Sequence, residues 1–153
     1  YCIDMLQYRA TEKQQKLLMD VAPMEIKADR EKLWRVFTNL IVNAIKFSAA
    51  GSVVRITATR TADAVTVSVA DTGIGIPDKL KPMMFDMFTQ ARRKGTSGEA
   101  SSGLGLAISK RIVDAHSGRI WFDSAEGKGT TFFVELPVDG PVGKNSGMRQ
   151  DNR

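Results

Sequence analysis

Asn39-Leu40-Ile41-Val42-Asn43-Ala44-Ile45-Lys46-Phe47 is the second half of a long amphipathic stretch, and its reading decides the fold. Asp29 suits an N-cap, and Leu33, Trp34, Phe37, Leu40, Ile41 and Ala44 follow at the three- and four-residue spacing of one helix face. A helix is therefore predicted from Asp29 to about Phe47, stopped by Ala50-Gly51. Asn39, Asn43 and Lys46 then fall at i, i+4 and i+7 on one stripe of that helix. Asparagine is a poor helix former, so two of them one turn apart call for compensation. An amide oxygen is a hard ligand suited to Mg²⁺ that phosphate oxygens already hold, and a lysine on the stripe neutralises phosphate charge. Taken alone, Asn-x-x-x-Asn is better read as a solvated polar face.

On either side the chain changes period. Residues 3–14 read as a helix end, with Ile3, Leu6 and Ala10 at helical spacing. Residues 15–21 and 24–28 read as two short strands broken at Ala22-Pro23. After the long helix, Val54, Ile56 and Ala58 alternate, as do Val65, Val67 and Val69, with Thr61-Ala62-Asp63 between them as a hairpin turn. The glycine-rich turn Asp71-Thr72-Gly73-Ile74-Gly75-Ile76-Pro77 follows that hairpin, and a short helix is expected near Pro77-Asp78. A polar stretch over 89–102 leads to a third helix at 104–115, ended by Ser117-Gly118. Strands are predicted over 119–123 and 130–136. Residues 138–153 are polar and rich in Gly and Asn, and are expected to be a disordered tail. This order predicts an α/β fold: a two-layer α/β sandwich whose mixed, mostly antiparallel sheet is covered on one face by helices.

Three more elements carry chemistry. Asp71 ends an inward-facing valine strand, where a carboxylate can accept a hydrogen bond from an exocyclic amine such as that of adenine. Gly73 and Gly75 let the backbone approach a flat ring, although Asp-Thr-Gly is also frequent in plain turns. Ser102-Gly103-Leu104-Gly105-Leu106 opens a helix, where free N–H groups make an anion site. It is no P-loop, because Leu104 stands where the lysine belongs. Nor is it a dinucleotide fingerprint, because a polar loop precedes it and Ile108 replaces the third glycine. Gly127-Lys128-Gly129-Thr130-Thr131 is by itself a hairpin turn.

Composition narrows the class. A chain of 153 residues holds one core of ordinary size, and 42% hydrophobic with 25% charged residues is globular composition. No apolar run approaches the roughly 20 residues that cross a bilayer. One cysteine, Cys2, permits no internal disulfide and suits a reducing compartment. The net charge of +5 is scattered and aromatics are 7%, so a nucleic-acid stacking platform is not expected. Arg92-Arg93-Lys94 is the one basic run, read alone as a solvated loop. The chain opens mid-pattern without Met, as a fragment of something longer would.

Together and in this order, the elements resemble the GHKL superfamily, and specifically the catalytic domain of sensor histidine kinases. Residues 39–47 look like its N box, 71–76 its first glycine box, Phe85-Asp86-Met87-Phe88 its F box, 103–108 its second glycine box and 127–130 its terminal glycine box. Each is weak alone, and all five in order are specific. The resemblance covers about residues 15–137 and implies the Bergerat fold, with ATP and Mg²⁺ as cofactors. It implies that Asn43 coordinates Mg²⁺ with Asn39 helping at the phosphates, and that Lys46 contacts phosphate while Phe47 lies by the nucleotide. Asp71 would bind the adenine amine, with Gly73, Gly75 and Ile76 shaping that pocket and Thr130 completing it. Residues 89–102 would be the ATP lid, Phe88 and Leu106 would flank the nucleotide, and Ser102, Gly103, Leu104 and Gly105 would cradle phosphates. Ser101-Ser102 departs from the Gly-Thr usual at that place.

The acceptor of the phosphoryl group decides the activity. Hydrolytic members of the superfamily typically carry a glutamate where this chain has Asn39, and no carboxylate lies on that helix stripe from 36 to 47. Attack by water thus lacks an evident base, which an imidazole nucleophile needs less. His116, the single histidine, ends the third helix, where the family commonly has a histidine that is not its acceptor. The resemblance therefore implies a histidine on a dimerisation domain absent from this chain, of which residues 1–14 would be the trailing helix or linker. It also implies a homodimeric parent, a response regulator receiver domain as partner and a cytoplasmic catalytic domain. A serine kinase of the anti-sigma type and a nucleotide-binding interaction module are the alternatives.

Overall fold

The structure is a computed structural model that describes residues 2–86 and 105–141. The expected lid at 89–102, the Arg92-Arg93-Lys94 run and residues 142–153 lie outside the described residues. In chain order the elements are α1 (Cys2–Glu12), β1 (Lys16–Asp20), α2 (Arg30–Phe47), β2 (Val53–Arg60), β3 (Ala64–Asp71), α3 (Gly105–Ala115), β4 (Arg119–Ala125) and β5 (Gly129–Pro137).

α2 begins as the sequence dictates. Asp29 is its N-cap, and a side-chain oxygen accepts the Lys32 N–H at 3.1 Å, satisfying one of the donors that a helix start leaves open. Leu33, Val36, Leu40, Ile41, Ala44 and Ile45 are buried along its length, each larger side chain contributing about 2 kcal/mol of apolar burial. Trp34 does not join them. It stands about 100° round the helix from Leu33, off the buried stripe, and remains 40% exposed.

The strands form one sheet in the order β1-β2-β3-β5-β4, with β1 parallel to β2 and every other pair antiparallel. Parallel neighbours need a crossover connection, which α2 supplies between β1 and β2. The helices cover one face, burying Val54, Ile56, Val69, Phe132, Val134 and Leu136 with α2 and Val113 of α3. The other face is polar and half-exposed. There Trp121 stacks on Phe133 at 5.2 Å, and Arg119 lies over Trp121 at 4.8 Å while pairing with Glu135. The fold is thus the mixed α/β arrangement expected, with three local differences.

Residues 24–28 are not a strand. Proline at 23 offers no N–H, and the segment's bond toward the sheet is a single one, Lys27 N–H to Val138 O at 3.0 Å. Its alternating apolar residues report packing instead, since Ile26 and Ala28 lie against the core. The short helix expected at Pro77-Asp78 is a 3₁₀ turn at Lys81–Met83. Beyond Pro137 the chain stays attached to the body, with Val138 N–H bonded to Asp63 O.

Candidate functional site

The site is assembled where β3 runs out beside the C-terminal half of α2. Asp71, the last residue of β3, accepts the Gly73 N–H at 2.9 Å and the Thr130 N–H at 3.3 Å through the same oxygen, Oδ1. The first bond shapes the turn that follows, and the second ties that turn to the start of β5. Two backbone amides on one oxygen fix the plane of the carboxylate.

The glycines are required by close approach. A Cβ on Gly73 would stand 2.0 Å from the Phe47 carbonyl oxygen, and the next residue, Ile74, donates its N–H to that oxygen at 3.0 Å. Gly75 has φ +68, and a Cβ there would meet Ala125 O at 2.1 Å. The loop is therefore clamped between the end of α2 and the β4–β5 turn, where Gly127 N–H bonds Ile74 O at 2.8 Å.

Ser124, which no sequence motif marks, organises this corner. Its Oγ accepts the Ile76 N–H at 2.8 Å and lies 2.9 Å from Gly129 O and 2.8 Å from Thr130 Oγ1. Donating to the carbonyl, it accepts from Thr130 and so orients that hydroxyl. Lys81 donates to the Ser124 carbonyl at 2.6 Å and pairs with Asp78 at 2.8 Å. This hydrogen bond and the ammonium charge hold the Asp78 carboxyl below its usual range. Only the register Ser124↔Thr130 reveals the serine, and a serine in a strand carries no such signal.

Asn39, Asn43, Lys46 and Phe47 are all half-buried on α2. Asn39 Nδ2 reaches Ser109 Oγ of α3 at 3.4 Å, and a Cβ on Gly105 would stand 2.1 Å from Asn39 Oδ1. Asn39 thus seats the start of α3 against α2, and Leu106 beside it packs on the core. The Asn43 side chain has no hydrogen-bond partner among the described residues. One cluster therefore joins Asp71, Gly73, Gly75, Ile76 and Thr130, with Phe47 attached through its carbonyl. A second joins Asn39, Gly105 and Leu106. A cleft of about 400 Å³ opens beside Asp71 and Thr130 and is lined further by β4 and β5 residues, with none from α2. Phe88, Ser102, Gly103 and Leu104 lie outside the described residues.

The residues fit a magnesium nucleotide on two observations. A half-buried amide with no hydrogen-bond partner among the described residues stands on α2, and a loop whose glycines have no room for a Cβ runs beside a fixed carboxylate. Among the described residues no three His, Cys, Asp or Glu side chains gather into a metal-binding group. A hard cation here would rely on an amide and on the oxygens of its ligand.

His116 is occupied on both ring nitrogens. Nε2 accepts the Asp29 N–H at 3.1 Å, so Nδ1 carries the proton and donates to Ile112 O at 2.8 Å. The ring is buried and joins the end of α3 to the start of α2. Its role is structural, as its place in the sequence suggested.

Comparison with known proteins agrees with this geometry. A sequence model of the family described as "Histidine kinase-, DNA gyrase B-, and HSP90-like ATPase" matches residues 28–140. The sensor protein kinase WalK of Staphylococcus saprophyticus is 42% identical over 113 residues, covering 72% of this chain and 18% of that protein. The chain thus spans about a fifth of the length of this curated relative. Full-length ShkA, solved in complex with AMPPNP, superposes with a TM-score of 0.76 at 30% identity over 93% of this chain and 29% of that one. Histidine kinase ThkA, solved in complex with response regulator protein TrrA, gives a TM-score of 0.72 at 26% identity over 90% of this chain and 38% of that one.

Proposed function

The chain belongs to the histidine kinase-, DNA gyrase B- and HSP90-like ATPase family as a catalytic domain of sensor histidine kinase type, and from that premise we propose its reaction. It binds Mg-ATP and hands the γ-phosphoryl group to a histidine on a dimerisation domain that lies outside this chain. A bond forms between an imidazole nitrogen and the γ-phosphorus, the bond to the β,γ-bridging oxygen breaks, and ADP leaves. Mg²⁺, when bound, neutralises phosphate charge as it shifts toward the leaving oxygen.

The protein's own part is positioning. Asp71 accepts a hydrogen bond from the exocyclic amine of adenine, and the Thr130 hydroxyl, oriented by Ser124, serves the same end of the ring. Asn43 offers its amide oxygen on the phosphate side, and Lys46 adds positive charge on the same stripe. Asn39 sets the start of α3, whose N–H groups face the phosphates. No carboxylate stands on α2 between 36 and 47 to deprotonate water, which favours an imidazole that already offers its lone pair. Without its acceptor domain the chain does not autophosphorylate. On this reading the parent is a homodimer with a cytoplasmic catalytic domain, and its partner is a response regulator, which the ThkA complex with response regulator protein TrrA supports. Among the described residues no helix is long and apolar enough to cross a membrane.

The single observation that carries the reading is the fixed carboxylate of Asp71 beside the glycine loop. Asp71→Asn puts an amide where the charge was, and a hydrogen bond to a charged group contributes about 1.5–3 kcal/mol. We expect ATP affinity to fall by roughly 10- to 100-fold in titration calorimetry, with the preference for ATP over GTP reduced. Equal affinity of the unaltered protein for ATP and GTP would contradict the role given to Asp71.

A further inference from the structure

The last turn of α2 lacks the usual helix ending. A helix leaves four carbonyls open at its C-terminus, often met by a left-handed residue just beyond it. Here the C-cap, Ser48, is extended, with φ −104 and ψ 149. The carbonyls are instead met by side chains from the segment between α1 and β1. Lys13 Nζ donates to Ile45 O at 2.9 Å and Lys46 O at 3.0 Å. Gln15 Nε2 lies 3.1 Å from Ile45 O, 3.1 Å from Ser48 O and 3.2 Å from Ala49 O.

The carbonyl left out of that set is the informative one. Phe47 O lies between the carbonyls gripped from below and accepts the Ile74 N–H of the glycine loop. The end of α2 and the two residues after it thus present carbonyls 45, 46, 48 and 49 to the α1–β1 segment, Ala49 O also accepting from Ser52, and carbonyl 47 to the loop beside Asp71. Gln15 is buried, and its Oε1 has no partner among the described residues. Its contribution is that of a donor alone, which a generic core glutamine would not require. Lys13 adds a cation at the negative end of the helix dipole. The main chain is fixed there too, since Gln14 takes φ 57 and Gly51 N–H bonds Lys13 O at 3.1 Å.

We propose that Lys13 and Gln15 are positioning residues for the nucleotide site: they set the last turn of α2, and through the Phe47 carbonyl they hold the loop that carries Gly73, Ile74 and Gly75. The path runs from the residues following α1 to the loop beside Asp71 without touching the ligand. A displacement of α1 therefore reaches the nucleotide loop directly. The proposal rests on the nucleotide-binding reading above for its consequence, though not for its geometry.

The test compares the unaltered protein with Gln15→Leu, which keeps bulk and removes the donors, and with the pair Lys13→Met and Lys13→Arg. Two quantities are read: amide hydrogen exchange of Ile74 without nucleotide, and ADP affinity. We expect Gln15→Leu and Lys13→Met to speed Ile74 exchange about tenfold relative to amides of β3 and β5, matching the loss of about one hydrogen bond. ADP affinity should fall by a similar factor, and Lys13→Arg should restore both. If Ile74 exchange changes only in step with the strand amides, the two residues act on global stability and the positioning role is wrong. Should Gln15→Leu fail to fold, the half-buried Lys13 pair decides alone. An unaltered protein that does not bind ADP strikes the nucleotide reading, whereas variants that bind ADP as it does strike this inference.

Discussion

Replacing Asn43 with alanine is expected to lower Mg²⁺-dependent ATP affinity by about 100-fold, or about 2.7 kcal/mol, while leaving the fold intact. The two halves of that expectation have separate causes. Asn43 sits on α2 off the buried stripe, and its side chain bonds to nothing among the described residues. Alanine is the better helix former, so stability should hold or rise by roughly 0.5 kcal/mol. The amide oxygen, by contrast, is the ligand assigned to the cation, and its removal leaves on that stripe only the amide of Asn39, which is engaged with Ser109 of α3. Titration with ATP in magnesium and in chelator separates the effects. Affinity in magnesium equal to that of the unaltered protein would remove Asn43 from the metal site.

The second large effect belongs to Gly75. Alanine there pays twice: an L side chain at φ +68 costs about 1–2 kcal/mol, and its Cβ would stand 2.1 Å from the Ala125 carbonyl. The loop cannot shift freely, because Gly127 N–H holds Ile74 O and Ser124 Oγ holds Ile76 N–H. We expect a loss of about 3 kcal/mol or more, read as a lowered urea midpoint, together with loss of nucleotide binding. Gly51 supplies the control. Its φ is +81, but nothing lies within 4 Å of an added Cβ, so Gly51→Ala should show the conformational cost of about 1–2 kcal/mol alone. Equal midpoints for the two variants would mean that the close approach at Gly75 carries no energetic weight.

What was legible in the sequence was what repeats or punctuates. The period of α2, its Asp29 cap, the β2–β3 hairpin and the glycine loop all leave local marks, and each appears where those marks place it. His116 was also legible, because a helix end suits an imidazole. Three kinds of feature were not. Trp34 matched the helical period yet faces solvent, since periodicity gives a face but not how far the covering elements extend. Residues 24–28 alternated like a strand without forming one, because alternation reports burial and a strand needs a neighbour to pair with. Ser124, Lys13 and Gln15 act by side-chain bonds to segments distant in the chain, Gln15 reaching carbonyls 30 to 34 residues away. Such contacts have no period and appear only once the register and the packing of α1 against α2 are known. The second glycine box was legible as a motif, but of the residues proposed to cradle phosphates only Gly105 lies among those described.

The central claim is that this chain is the donor half of a phosphotransfer to histidine. It is tested most directly by incubating the chain with γ-labelled ATP, Mg²⁺ and a separately supplied histidine-bearing dimerisation domain of a sensor kinase of this family. The account predicts label on that domain that is lost in acid and stable in alkali, as phosphohistidine is. It predicts no label on this chain alone, and no transfer when the acceptor histidine is replaced by glutamine. Acid-stable label on serine, or tight ATP binding with no transfer to any supplied domain, would contradict it.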